Sequence, residues 1–472
     1  MMKKFSARAV FCALVCGALL LSGCASHTHV YTQTVIEPTC SSIGYTINSC
    51  SCGETYYSDY RSKTEHTYSE WIKENDPGLV NKGDEYSYCT VCGDLRVRES
   101  QNLSALPKLY FTFGTRSEPD SLLFESKDAV FTCGASLTEE NRTEKPDYYL
   151  SLFYKADRSA YNTDLGWGDQ STYRLCGQFS DPLKCRDRAG LSVWNGLQAD
   201  RNETEKTPGG FPVQLYVDGI YKGVYDLLPD RSWQYRGGGS SNASVIACDG
   251  TCDFNSEPVF SRPGLGEKES GYAFLHCTGE TTAWAEESFA AFCRFVQTAS
   301  DKQFREHLSD YTDVSALIDY YLTAEVLCAA HRLESGTIWY TKDGKTWLPE
   351  FSDLTNSFAI TEAGIPCWYA YNLPAADAHG AVVYKEKNLL WKRFVQIFLP
   401  EIENRYAVLR ENVFTAEFLI NAFDSENART EAGLLEEEAL LYPGTPDASR
   451  SQTVLEFLEY RLGALDKLFL PL

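Results

Sequence analysis

The sequence is poor in positive charge and lacks the short motifs of several common enzyme classes. Its 472 residues include 43 Lys and Arg against 65 Asp and Glu, which gives a formal net charge of −22 at pH 7. A chain this acidic repels nucleic acid and anionic lipid head groups, so we expect no nucleic-acid partner. The sequence also contains no Gly-x-Ser-x-Gly elbow, no His-Glu-x-x-His pair and no Walker loop. It therefore gives no support to a hydrolase, a zinc protease or a P-loop enzyme.

The N-terminal apolar run is too short to cross a bilayer. Residues 9–21 are apolar and follow a basic segment, whereas a membrane-spanning helix needs about 20 apolar residues. Residues 21–24 read Leu-Ser-Gly-Cys, which resembles a bacterial lipobox. We therefore predict a lipoprotein signal peptide over residues 1–23, cleavage before Cys24 and lipidation of the Cys24 thiol. This predicts a membrane-anchored, extracytoplasmic protein on the outer face of a bacterial membrane.

Residues 24–104 are polar and contain an imperfect cysteine repeat. The recurring positions are Pro38, Gly44, Cys50, Cys52 and Gly53 in the first copy, and Pro77, Gly83, Cys89, Cys92 and Gly93 in the second. The pattern resembles small repeats of bacterial surface proteins. A copy of this size cannot bury a core by itself, so we expect disulfides or a metal to hold it together. We predict that the segment is a stalk that presents the larger domain.

Two kinds of cross-link fit the cysteines of this stalk. Tetrahedral zinc takes four thiolate or imidazole ligands, and the stalk offers enough thiols in Cys40, Cys50, Cys52, Cys89 and Cys92. The Cys50-x-Cys52 spacing and the predicted export of the chain favour disulfides instead. Both alternatives stay open, because connectivity does not follow from spacing.

A β-hairpin over residues 211–227 is the strongest local signal in the rest of the chain. Apolar and polar residues alternate through Val213, Leu215 and Val217, which is the period of a strand. Asp218-Gly219 then provides a two-residue turn of type I′, in which both residues take a positive φ.

The flanking segments predict an α+β domain over residues 105–472. Alternating patterns predict strands at residues 109–113 and 148–154, before the hairpin. Residues 180–197 predict a helix that Asp181-Pro182 opens. In the C-terminal part, apolar residues recur mostly at helical spacing. We therefore expect a mixed sheet followed by a helical C-terminal half.

The hairpin sequence resembles that of a known family. Its pattern, V-x-L-Y-V-D-G-x-Y-x-G-V-Y, is similar to the central hairpin of the spore coat protein H (CotH) family of atypical secreted kinases. Segments at residues 144–152, 173–187, 343–359 and 390–410 fit the same family in the same order. The resemblance implies an atypical protein-kinase-like, CotH-like fold with ATP and Mg²⁺ as cofactors. It also implies phosphate transfer to Ser or Thr of surface or coat proteins.

The resemblance also implies candidate site residues. Lys145 and Arg186 would bind the phosphates of ATP, and Asp353 falls on the first carboxylate of the family's D-x-D metal site. His331 falls on a family aspartate and is a candidate general base, because imidazole titrates near neutral pH. From the residues alone, the two basic residues can equally be surface cations or local ion-pair partners, and His331 a structural residue.

The sequence departs from the family pattern around the metal site. Thr355 replaces the second carboxylate, Ser335 and Gly336 replace amides, and Pro229 replaces a glutamate. Either the site is rebuilt, with Glu334 or Glu350 compensating, or the domain is a catalytically inactive pseudokinase. A pseudokinase would serve as a binding or assembly module of the cell envelope. An adhesion protein that binds no nucleotide is a third interpretation.

Overall fold

The computed structural model describes most of the 472-residue chain. The described residues are 28–73, 84–99, 106–115, 118–140, 143–200, 207–230, 242–249, 253–261, 271–279, 281–333, 336–351, 353–358, 360, 387–430, 432–443 and 451–470. The chain divides into two units, residues 1–75 with 83–101, and residues 76–82 with 102–472. The predicted signal peptide, Cys24 and the predicted boundary after residue 104 lie outside the described residues. Within those ranges, no helix has the length and apolar character needed to span a membrane.

The first unit contains two small antiparallel sheets, one for each copy of the cysteine repeat. Their strands are β1 (Tyr31–Ile36), β2 (Gly44–Cys50) and β3 (Thr55–Arg61), and then β4 (Ile72–Lys73), β5 (Asp84–Tyr88) and β6 (Leu95–Glu99). In each copy the middle strand leads into a cysteine turn that holds a left-handed glycine, Gly53 (φ 96°) or Gly93 (φ 75°). The repeat of sequence is therefore also a repeat of structure.

The second unit begins with a closed β-barrel. In chain order its first strands are β7 (Lys108–Thr112), β8 (Ser121–Glu125), β9 (Val130–Glu139), β10 (Tyr148–Phe153), β11 (Thr163–Asp164), β12 (Asp169–Gln170), β13 (Thr172–Cys176), β14 (Phe211–Val217) and β15 (Ile220–Pro229). The barrel order is β10-β13-β15-β14-β7-β8-β9, while β11 and β12 pair separately. Neighbouring barrel strands are antiparallel except β7 and β14, which are parallel. Alternate apolar side chains, including Leu109, Phe111 and Leu150, fill the interior.

The predicted hairpin is confirmed and forms two adjacent strands of this barrel. Strands β14 and β15 pair from Phe211 with Leu227 to Val217 with Ile220. Asp218 and Gly219 have φ values of 49° and 77°, as a type I′ turn requires.

A five-stranded sheet and a set of helices complete the second unit. The sheet has the order β17-β18-β16-β19-β20, with β16 (Ser244–Asp249), β17 (Phe260–Ser261), β18 (Gly271–Cys277), β19 (Thr337–Thr341) and β20 (Leu348–Phe351). The α-helices in the described ranges are α1 (Arg186–Asp200), α2 (Ala283–Thr298), α3 (Asp301–His307), α4 (Val314–Val326), α5 (Leu389–Ile397), α6 (Leu399–Arg410), α7 (Ala416–Asn427), α8 (Ala432–Leu441) and α9 (Ser451–Phe469). The unit is thus a mixed α and β structure. The predicted simple succession of a sheet and then helices is too coarse, because β19 and β20 follow α4.

Helix α1 begins later than the sequence pattern predicted. Asp181 accepts hydrogen bonds from the backbone N–H groups of Cys185 (2.8 Å) and Arg186 (2.8 Å), so its side chain closes a loop before the helix. Within that loop Lys184 has a φ of 53°, which is incompatible with a helical start at Asp181-Pro182. The first helical turn therefore carries Asp187.

Helix α4 anchors the loop that follows β20. Every residue of α4 from Ala316 to Val326 is buried. The Tyr320 ring stacks on Phe351 at the end of β20, with ring centroids 4.1 Å apart. Beyond the loop, the Phe358 N–H donates to the Leu327 carbonyl at 2.9 Å. The segment that carries Asp353 is therefore held at both ends by the helical core.

Gly223 in the hairpin makes room for a carboxylate from helix α8. Its φ of 103° is unfavourable for other residues, and an added Cβ would clash with Oε2 of Glu438. That same Oε2 accepts the Val224 N–H at 2.8 Å. The hairpin and helix α8 therefore meet at a point where only glycine fits.

Replacing Gly223 with Ala should lower the free energy of unfolding by more than about 2 kcal/mol, through backbone strain and displacement of Glu438. The matched control is Gly463→Ala in α9, where an added Cβ meets nothing within 4 Å. Alanine there should stabilise the protein by about 0.4–1 kcal/mol, since it favours the helix. Urea unfolding of both variants provides the comparison, and equal effects at the two positions would contradict this account of Gly223.

Candidate functional site

A polar cavity of about 200 Å³ lies where the barrel meets helix α1 and the loop after β20. Its charged lining residues are Lys145, Asp147, Arg174, Asp187 and Asp353. Lys145 and Asp147 precede β10, and Arg174 lies on the neighbouring strand β13. Asp187 lies in the first turn of α1. Four separate chain segments thus bring three carboxylates and two cations to one cavity.

Asp187 and Asp147 are carboxylates that the protein interior destabilises in their charged form. Burial and the nearby charge of Asp353 raise the pKa of Asp187 to about 7, although the Leu354 N–H, 2.6 Å from Oδ1, opposes the increase. Burial also raises the pKa of Asp147, although its Oδ1 accepts the Gly177 N–H at 2.6 Å. Burial and the repulsion between neighbouring carboxylates both favour the uptake of a proton or a cation.

Asp353 already has a cationic neighbour. Its Oδ2 lies 2.9 Å from Nη2 of Arg332, and its Oδ1 accepts the Thr355 N–H at 2.7 Å. The Asp353 side chain is nevertheless 39% exposed, so solvent and ligands can reach it. The Arg332 side chain passes over Gly336, where an added Cβ would clash with Nη1. A residue larger than glycine at position 336 would therefore displace this guanidinium.

Lys145 belongs to a buried cluster of two lysines and one glutamate. Its Nζ donates to the Val224 carbonyl and forms an ion pair with Glu438, and the Lys184 Nζ lies 3.5 Å from Oε1 of the same glutamate. Burial and the charge of Lys184 lower the pKa of Lys145 to about 7, although Glu438 opposes the decrease. The position of Lys145 at the cavity is therefore set by helix α8.

Gln178 lines the cavity and has a buried amide oxygen. Its φ of 46° is in the left-handed region, and its Nε2 donates to Asp226. Its Oε1 is buried and has no hydrogen-bond partner within the described part of the chain. Burying an amide oxygen without a partner is costly, which makes this atom a candidate ligand for a cation.

A second cavity, of about 790 Å³, is lined by the other side of α1, including Arg188, Leu191 and Asn195. Arg188 forms ion pairs with Glu426 (2.9 Å) and with Asp226, the same residue that accepts from Gln178. A continuous polar chain therefore runs from Gln178 in the polar cavity to Arg188 in the larger one.

Comparison with known proteins places these residues in a family. Residues 142–459 match the protein-family model described as CotH kinase protein. The chain belongs to the CotH kinase protein family. The matched range contains every charged residue of the polar cavity. Among curated proteins, none matches the chain.

Of the site residues predicted from the CotH resemblance, Lys145 and Asp353 come together and Arg186 lies elsewhere. The Arg186 side chain is fully buried, pairs with Asp181 and lies over the Phe423 ring at 5.4 Å. This matches the local ion pair that was the alternative to phosphate binding, and the phosphate role stays a prediction. The backbone of His331 is in a short 3₁₀ turn, Ala330–Leu333, while its side chain lies outside the described residues. Its role as a base also stays a prediction.

Of the two glutamates expected to compensate for Thr355, Glu350 lies away from the cavity. Glu350 accepts a hydrogen bond from the Thr207 hydroxyl, and it does not line the cavity. Glu334 lies outside the described residues. The additional carboxylates are instead Asp147 and Asp187, which sequence reasoning missed as site residues. The available signal was weak: Asp147 directly precedes a predicted strand, and Asp187 follows Arg186 in a predicted helix.

The raised pKa of Asp187 predicts a pH-dependent effect of Asp187→Asn in EDTA. The folded state binds a proton on Asp187 up to about pH 7, whereas the unfolded chain loses it near the ordinary value of 3.8. The contribution of this proton to the free energy of unfolding is therefore fully present below about pH 4, and it is lost as the pH rises to about 7. Asn is neutral and keeps an acceptor for the Leu354 N–H. Relative to the wild type, the variant should gain about 2–3 kcal/mol between pH 5 and pH 8.

Urea unfolding of both proteins at the two pH values measures this change. The matched control is Asp310→Asn, because the Asp310 carboxylate is 66% exposed. An Asp187→Asn effect that is the same at pH 5 and pH 8 would show that Asp187 is an ordinary carboxylate.

Proposed function

We propose that the second unit binds ATP with Mg²⁺ in the polar cavity and transfers phosphate to Ser or Thr of a surface or coat protein. The observation that carries the proposal is the convergence of Asp147, Asp187 and Asp353 with Lys145 and Arg174 in one cavity. Carboxylates for a metal and cations for phosphates are the components that a kinase needs. On this proposal the unit has an atypical kinase-like fold.

The donor atoms of the cavity fit a hard divalent cation. Carboxylate oxygens of Asp187 and Asp353 and the amide oxygen of Gln178 are the ligand types that Mg²⁺ prefers. Asp187 would thereby replace the carboxylate that the family pattern has at Thr355. When bound, Mg²⁺ would neutralise charge on the phosphate oxygens as the phosphoryl group moves.

The basic residues and Asp147 have separate roles in this proposal. Arg174 would bind phosphate oxygens while its pairing with Glu140, at 2.7 Å, holds the guanidinium in place. Lys145 with Glu438 provides a buried lysine–glutamate ion pair, which protein kinases also use next to the phosphates. Asp147, whose pKa is raised, would accept the proton of the acceptor hydroxyl. His331 is the other candidate for this step.

The size of the cavity limits what it can enclose. Pockets for whole cofactors usually have volumes of about 300–1,000 Å³, and this one has about 200 Å³. It suits the phosphates with a metal ion, so the nucleoside would extend outside it. We further propose that lipid on Cys24 holds the chain on the outer face of the membrane, where its protein partner would be a surface or coat protein.

A pseudokinase is the second candidate function, and the ion pair between Arg332 and Asp353 favours it. The guanidinium already supplies positive charge to the carboxylate that would bind the metal. It extends over Gly336, where the family pattern has an amide. In this alternative the cavity needs no metal, and the unit is a binding or assembly module of the cell envelope.

Thermal unfolding of the full chain with ATP, in the presence and absence of Mg²⁺, tests the first proposal. A ligand at 100 times its Kd stabilises the folded state by about 2.7 kcal/mol. This stabilisation should require Mg²⁺, disappear in Asp187→Asn and Asp353→Asn, and persist in the exposed control Asp310→Asn. The same proteins should show matching losses of phosphate transfer from labelled ATP to themselves or to a generic Ser/Thr acceptor.

The pseudokinase predicts a different pattern. ATP would give no shift or one that Mg²⁺ does not change, and no label would be transferred. Arg332→Gln separates the cases further, since removing the competing cation should strengthen Mg²⁺-dependent ATP binding if the carboxylates form a metal site. No shift in the wild type or in Arg332→Gln, under any condition, would contradict nucleotide binding altogether.

A further inference from the structure

Four metal-ligating side chains converge in the first unit. The ligand atoms of Cys40, His66, Cys89 and Cys92 all lie within 4.8 Å of one another. Cys40 and Cys89 are buried, while His66 and Cys92 are exposed. The group therefore combines three thiols with one imidazole, the composition of a structural zinc site.

The separations within this group fit the edges of a zinc tetrahedron. With Zn–S bonds of about 2.3 Å and Zn–N bonds of about 2.0 Å, tetrahedral edges are about 3.8 Å between sulfurs and about 3.5 Å between sulfur and nitrogen. The Cys40 and Cys89 sulfurs are 3.6 Å apart, and the Cys92 sulfur lies 3.3 Å from Nδ1 of His66. A disulfide would bring two sulfurs to about 2.05 Å. The observed distances exclude a Cys40–Cys89 disulfide in this structure and fit ligands around a shared ion.

The backbone around Cys89 also brings these ligands close together. Cys89 and Cys92 lie on one tight turn, in which the Gly93 N–H donates to the Cys89 carbonyl at 2.8 Å. Gly93 takes a φ of 75°, which allows the chain to reverse and both thiols to point the same way. Tyr68, two residues after His66, pairs with Cys89 and brings the imidazole alongside.

The ligands come from both copies of the repeat. Cys40 belongs to the first copy, and the other three ligands accompany the second. The corresponding trio of the first copy, His29, Cys50 and Cys52, is also grouped, with the Cys52 sulfur 3.4 Å from Nδ1 of His29. Within the described residues this trio has no fourth Cys or His. Within the described residues, the two copies thus have corresponding trios, and Cys40 adds a fourth ligand to the trio of the second copy.

Few of the described side chains in the first unit are both apolar and buried. Among the side chains described in residues 28–72 and 86–96, the buried apolar ones are those of Cys40, Cys50 and Cys89. A segment without an apolar core needs a metal or covalent cross-link to stay folded. We propose that Cys40, His66, Cys89 and Cys92 bind one structural zinc ion, which joins the two copies of the repeat.

Metal analysis of the full chain, purified without chelators, tests this site. Cys40→Ser and Cys92→Ser should each contain one zinc ion less per chain than the wild type. Cys92 is exposed, so its replacement disturbs no buried packing. Cys277→Ser in the second unit is the matched control and should keep the wild-type zinc content. Cobalt(II) exchanged into the wild type should show the visible bands of a tetrahedral ion and thiolate charge-transfer bands, both weakened in Cys92→Ser.

Three results would overturn the proposal. One is a wild-type chain that contains no zinc and gives no tetrahedral cobalt spectrum. Another is an unchanged zinc content in both Cys40→Ser and Cys92→Ser. The third is a Cys40–Cys89 disulfide, seen as a cross-linked peptide and a mass lower by two hydrogens, which would assign this pair to covalent cross-linking.

Discussion

The buried carboxylate of Glu438 is the interaction on which the second unit depends. It reaches from helix α8 into the barrel, where it pairs with Lys145 and accepts the Val224 N–H. Removing one partner of such a buried pair leaves an uncompensated charge and costs about 3–5 kcal/mol. Gly223 is required because no side chain fits beside this carboxylate. The hairpin, helix α8 and the cation at the polar cavity are therefore parts of one arrangement.

The polar cavity next to Lys145 is governed by an excess of carboxylate charge. Burial and repulsion from Asp353 raise the pKa of Asp187, so the site is most stable when a positive charge is added. Arg332 supplies part of that charge. A kinase would use a metal ion and bound phosphates to complete the balance, whereas a pseudokinase would leave Arg332 in that role. The two candidate functions thus differ in which cation Asp353 binds.

Local patterns predicted the elements of the fold better than they predicted the site. The hairpin follows from strand alternation and Asp218-Gly219, because turn chemistry acts between neighbours. Lys145 and Glu438 are 293 residues apart, and no local pattern relates them. The start of α1 was misjudged because Asp181 closes a loop instead of capping the helix directly. In the first unit, the repeat pattern of Pro, Gly and Cys gave no sign of His66, which belongs to the four-ligand group.

The central claim is that Asp187 and Asp353 together form a divalent-cation site for a bound nucleotide. Crystals grown with Mn²⁺ and a non-hydrolysable ATP analogue test it most directly, since the anomalous signal of manganese locates the ion. The account predicts a manganese peak at about 2.2 Å from oxygens of Asp187 and Asp353, with phosphates beside Arg174. A nucleotide bound without metal, or a peak in the larger cavity beside Arg188, would contradict it.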